Sequence, residues 1–236
     1  MSVDPRRMTR TLAVVAAVLI ALGVTASFLY DVVDRPQDWW FRFVDVNGEA
    51  NLPSWYSVVL LAGTALLLVA ISQVRREKAL GKAKDWMLLS WFVVAMSLDE
   101  MASIHEAVGG QVDRHVALPL IGGYGWIVPG GIIAAVAGLV GWRVVHSLPT
   151  SARRELATAA AVFLVGALAL EVVEAIITGQ SGGFGAAAKL TTGAQELFEM
   201  WGVVLAIGAL IRELRRISVV AVAPSAESDV TRSIAA

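Results

Sequence analysis

Six apolar runs, at residues 12–30, 56–74, 86–108, 126–146, 157–178 and 186–211, dominate this chain of 236 residues. Each is close to the roughly 20 residues a helix needs to cross the hydrocarbon core. Without water, the backbone N–H and C=O groups of such a run must be satisfied inside the segment, which restricts it to an α-helix or a closed barrel. Runs of this length exceed barrel strands. The expected fold class is therefore all-α, a polytopic integral membrane protein with a six-transmembrane-helix bundle. Residues 1–217 form its single domain, and 218–236, of mixed small-residue composition, are expected to be a disordered cytoplasmic tail.

Composition agrees, since 57% of residues are hydrophobic and only 17% charged, too apolar a balance for a soluble domain. A net charge of −1 excludes a nucleic-acid partner, which would call for clustered excess Lys and Arg on a polar face. The lack of cysteine removes disulfides, thiolate metal sites and thiol nucleophiles.

Basic residues near helix ends stay on the cytoplasmic side. Arg6, Arg7, Arg10, Arg75, Arg76, Lys78, Lys82, Lys84, Arg143, Arg153, Arg154, Arg212, Arg215 and Arg216 fall on one side of six alternating spans, and Arg35, Arg42, Arg114 and Lys189 on the other. That asymmetry orients the N- and C-termini to the cytoplasm. The expected address is the cell membrane, multi-pass, of bacterial plasma-membrane type, with the lipid bilayer as partner. A cleavable signal competes for the N-terminus, because three arginines, an apolar stretch and Val24-Thr25-Ala26 fit its pattern. The run continues through Phe28, Leu29 and Tyr30, longer than a signal needs, which favours an uncleaved first helix.

In the first outer loop, Trp39, Trp40, Phe41, Phe43, Trp55 and Tyr56 read as an interfacial aromatic belt. Asp45, Asn47 and Glu49 alternate like part of a calcium loop, but the glycine offset is wrong and the closing glutamate is absent. Ala134 with Gly138, and Ala137 with Gly141, are spaced to let a neighbouring helix approach closely.

Charges inside the runs carry the functional argument. At about 1.5 Å per residue, Asp99, Glu100, Glu106, Glu171, Glu174, Glu196 and Glu199, seven carboxylates, and His105 converge on the outer half of the bilayer from three helices. An intramembrane charge costs about 2.5 to 3.5 kcal/mol. These groups must therefore face the bundle interior or water and be protonated, paired or metal-bound.

Successive helical residues turn by about 100°. Asp99 and Glu106 then share a face of the third helix with Ser103, Glu171 and Glu174 share a face of the fifth, and Lys189, Thr192, Glu196 and Glu199 form a stripe on the sixth. Glu100 and His105 point away from the Asp99 face. On this geometry Gly109 and Gly110 end the third helix at the outer surface. Asp113, Arg114, His115 and His146 read as surface residues, and Glu106, Glu174 and Lys189 also admit a solvated interfacial reading.

Three chemistries fit. The first is a cation- or proton-binding cavity, with cation or proton transport by a homodimer. Its candidate ligands are Asp99, Glu106, Glu171, Glu174, Glu196, Glu199 and His105, backed by Glu100, Ser103, Lys189 and Thr192. A carboxylate-rich set favours Mn, Fe, Ca or Mg over Cu or Zn, and a proton-only site needs no cofactor. The second is a metal-dependent membrane enzyme acting on a lipid or isoprenoid, with an acidic general base. The third is a structural membrane protein held by interhelical polar hydrogen bonds. One outer-half histidine is too few for a three-histidine zinc hydrolase or a bis-histidine haem, and no Ser, His and Asp set supports a serine hydrolase.

Overall fold

A computed structural model describes residues 4–33, 39–46, 48, 50–116, 124–181 and 185–219, which are helical with short connections and, among the described residues, no strand. The elements are α1 (Pro5–Val33), α2 (Trp39–Val44), α3 (Leu52–Glu77), α4 (Ala83–Ala102), α5 (Ile104–His115), α6 (Ile127–Val145), α7 (Thr150–Leu164), a π-helical segment (Val165–Leu170), α8 (Glu171–Ser181) and α9 (Ala186–Val219). Most of the expected tail, from residue 220 on, lies outside the described residues.

Four helical stretches, Pro5–Leu29, Leu52–Glu77, Ile127–Val145 and Thr150–Gln180, are long and apolar enough to cross a membrane, and α4 with α5 makes a fifth if the bent pair counts as one span. The sixth apolar run lies in α9, outside that set.

α9 is the central element, packing against α1, α3, α7 and the π segment, while α3 packs on α4 and α4 on α6. One apolar cluster joins Ile20, Tyr56, Leu60, Met200 and Val204. A second joins Ile71, Trp86, Val144, Leu210 and Ile217 at the arginine-rich end. Close approach is allowed where side chains vanish: a Cβ on Gly202 would lie 2.6 Å from the backbone nitrogen of Phe163.

Apolar burial contributes little to helix association in lipid, so polar contacts between helices gain weight. Ser90 Oγ donates to the Ala65 carbonyl at 3.0 Å, Ser72 Oγ to that of Ala83 at 2.7 Å, and the Tyr56 hydroxyl to that of Leu12 at 2.8 Å. Of the residues spaced like a calcium loop, Asn47 and Glu49 lie outside the described residues, while Asp45 takes part in the start of α3. The Asn51 side chain accepts from Ser54 N at 2.9 Å and donates to the carbonyls of Asp45 and Gly48, a helix N-cap. In the expected aromatic belt, Trp39, Trp40 and Phe43 on α2 and Trp55 on α3 are exposed, whereas Phe41 and Tyr56 are buried.

Two helices depart from the sequence reading. The third run is not one helix: α4 stops at Ala102, Ser103 takes a left-handed conformation (φ 49°), and α5 leaves at 78° to α4. Gly109 and Gly110, expected to end the helix, lie inside α5, with Gly109 buried against Trp126. The fifth run carries the π segment, whose wider turn shifts the phase of all that follows. Glu171 is the first residue after it.

α6 is almost unpacked, with only 6% of its apolar window buried and Ile132, Ile133, Val136, Leu139 and Trp142 exposed. Its outward face suits lipid. A Cβ on Gly138 or Gly141 would meet nothing within 4 Å, so the small-residue spacing there brings no neighbour close among the described residues.

Candidate functional site

The break at Ser103 leaves the first N–H groups of α5 without helical partners. Asp99, on the last turn of α4, takes up that role: its Oδ1 accepts from His105 N at 2.7 Å, and its Oδ2 lies 3.0 Å from His105 Nδ1. A carboxylate here also complements the positive end of the helix dipole. The His105 ring then meets the edge of Trp126, with centroids 5.3 Å apart at 65°.

Trp126 continues the chain of contacts. Its Nε1 donates to Glu171 Oε1 at 2.8 Å, and Gln195 Nε2 on α9 donates to the other oxygen at 2.6 Å. Glu174, one turn further along α8, accepts from the Tyr124 hydroxyl at 3.0 Å and lies 2.7 Å from Thr192 Oγ1. Tyr124 precedes α6 and lies outside the apolar span. Burial pushes its phenol up to about 12, so it remains a donor at physiological pH.

The π segment makes this packing possible. A Cβ on Gly166 would lie 2.7 Å from the carbonyl oxygen of Gln195 and 2.9 Å from the nitrogen of Glu199. The π segment and α9 therefore touch backbone to backbone beside the Glu171–Gln195 bond.

The face that Asp99 and Glu106 would share on one continuous third helix is therefore divided at Ser103. Asp99 bonds His105, Glu106 is exposed on α5, and His105 lies against Trp126, whose indole bonds Glu171. The 100° rule fails across Ser103 because phase is kept only within a continuous helix. Glu174 and Lys189, for which a solvated interfacial position was open, are 5% and 7% exposed. Lys189 Nζ donates to the Ser27 carbonyl at 2.7 Å and stands 5.6 Å from the Phe28 ring centroid. Thr192 joins Glu174, Glu196 is half-buried on α9, and Ser103 contributes the backbone turn. Among the described residues, no three His, Asp or Glu side chains converge as a metal-holding group.

Trp126, Tyr124 and Gln195 were missed in the sequence. The first two sit at the mouth of an apolar run and read as its start, yet a buried indole N–H or phenol must find an acceptor. Gln195 directly precedes Glu196, and an amide beside an intramembrane acid was the available signal.

Long apolar helices, bound together by polar side chains turned inward, define a multi-pass membrane protein. Within that class the chain belongs to the family described as Domain of unknown function (DUF8692), whose model matches residues 6–213. No curated protein and no solved structure matches the chain.

Proposed function

We propose that this is a six-span protein with cytoplasmic termini whose outer-half network, Asp99, His105, Glu171, Glu174 and Glu199 with Glu100 and Glu196 nearby, binds and exchanges protons, supporting proton or cation transport. The observation that carries this reading is the chemistry around two buried acids. Glu171 and Glu174 are 8% and 5% exposed, and among the described residues the hydrogen bonds to their carboxyl oxygens come from Trp126, Gln195, Tyr124 and Thr192, all neutral. Buried acids held by neutral groups are suited to carry protons.

Hydrogen-bond inventory sharpens it. Thr192 Oγ1 lies 2.7 Å from Glu174 Oε2 and 3.0 Å from the Ala188 carbonyl, and its single proton cannot serve both acceptors. With a proton on Glu174 the conflict disappears: the carboxyl donates to Thr192, and Thr192 donates to Ala188. In the same way, Gln195 Oε1 is buried without a hydrogen-bond partner among the described residues, and a protonated carboxyl on the neighbouring Glu199 would supply a donor.

The metal-dependent enzyme, with Mn, Fe, Ca or Mg at these carboxylates, is the second reading. It is less supported, because a metal would need three or more ligands from groups now held apart by separate partners. Proteoliposomes loaded with a pH-sensitive dye distinguish the two. Proton exchange predicts faster collapse of an imposed pH gradient than in protein-free vesicles, unaffected by chelator, and slower by about tenfold or more in Glu171→Gln or Glu199→Gln. Collapse at the protein-free rate would overturn the proposal.

A further inference from the structure

The opposite, arginine-rich end of the bundle holds a second polar site. A cavity of about 210 Å³ is lined by Arg75, Leu80, Ser147, Arg216 and Ile217. Glu213 lies beneath it with no exposed side-chain surface, 3.2 Å from Arg75 Nη1 and 2.7 Å from Arg216 Nε. Two guanidinium groups thus meet one carboxylate, leaving an excess positive charge at the cavity wall.

The two arginines are unequal. Arg75 is buried and fixed by the Gly81 and Leu80 carbonyls at 3.0 and 3.2 Å. Arg216 spends Nε and one Nη2 proton on Glu213, while its Nη1 has no partner among the described residues and its side chain is 41% exposed. Lys78 Nζ, at 2.8 Å from the Ile217 carbonyl, adds charge beside the cavity. A guanidinium fork with unused donors is matched to phosphate oxygens, and Leu80 and Ile217 offer an apolar wall to an attached ester. Basic pockets between membrane helices are suited to anionic headgroups.

We propose that this cavity binds a phosphate-bearing anion, with Arg216 as its principal ligand and Arg75 and Ser147 beside it. The source is either an anionic phospholipid headgroup at the membrane surface or a soluble phosphate.

Native mass spectrometry of the full-length protein, extracted from vesicles of equal parts phosphatidylglycerol and phosphatidylcholine, tests the lipid source; thermal shift with inorganic phosphate tests the soluble one. The expected result is retention of phosphatidylglycerol over phosphatidylcholine, reduced about tenfold or more in Arg216→Gln and unchanged in Arg212→Gln, whose side chain pairs with Glu155 and does not line the cavity. Stabilisation by phosphate without lipid preference, again lost in Arg216→Gln, would support the same site with a soluble ligand. Should Arg216→Gln fail to fold, Leu80→Glu sets a carboxylate at the exposed cavity wall and must lose the retention too. No preference in either arm, equal loss in Arg212→Gln, or full retention in Leu80→Glu would overturn the proposal.

Discussion

Glu213→Ala is expected to lower the unfolding free energy by about 3 to 5 kcal/mol, the range for stripping one partner from a buried ion pair. Glu213 has no exposed side-chain surface and ties Arg75 on α3 to Arg216 on α9. Its removal strands the Arg75 guanidinium, 6% exposed, without a counter-charge in a desolvated corner beneath Trp86, whose ring centroid lies 5.9 Å away. Replacing Arg75, Glu213 and Arg216 together by methionine should recover most of the loss, because apolar residues of similar volume can substitute for a buried ion cluster. Denaturant unfolding in detergent checks both. A single variant within about 0.5 kcal/mol of wild type, the range of ordinary surface changes, would mean that the ion cluster does not hold α3 to α9.

Gly166→Leu is expected to be similarly severe. The added Cβ would stand 2.7 Å from the Gln195 carbonyl oxygen and 2.9 Å from the Glu199 nitrogen, and backbone cannot move aside as a side-chain tip can. Separating the π segment from α9 should cost about 3 kcal/mol, the upper part of the overpacking range, and stretch the 2.6 Å bond from Gln195 to Glu171. Gly138→Leu is the matched control, since nothing lies within 4 Å of that Cβ. Thermal unfolding of the two variants side by side decides the matter, and equal midpoints would remove the close approach from the account.

The element type and the inward burial of Glu171 and Glu174 were legible, because hydrocarbon thickness and desolvation act on composition alone. The break at Ser103 was not. The stretch SLDEMASIHE contains neither glycine nor proline, and nothing local marks a left-handed serine. Its stability rests on contacts made after folding, with Asp99 capping α5 and Gly109 seated against Trp126. The π segment VGALAL is equally silent, since one inserted residue changes phase without changing hydropathy. Burial of the acids was therefore legible while rotation was not: phase counted straight through Ser103 pairs Asp99 with Glu106 and sets Glu100 and His105 aside. Glu213 was hidden for another reason: among Arg212, Arg215 and Arg216 it reads as part of a charged flank, and its second partner, Arg75, lies 138 residues away.

The central claim is that the carboxyls of α8 and α9 hold exchangeable protons. Infrared difference titration of the carboxylic C=O stretch reads this directly. The account predicts protonated-carboxyl absorption at neutral pH with a component that disappears in Glu174→Gln and shifts in Tyr124→Phe, which loses the donor to that carboxyl. A wild-type spectrum with every carboxyl ionised at neutral pH, or a band untouched by Glu171→Gln, Glu174→Gln and Glu199→Gln alike, would contradict it.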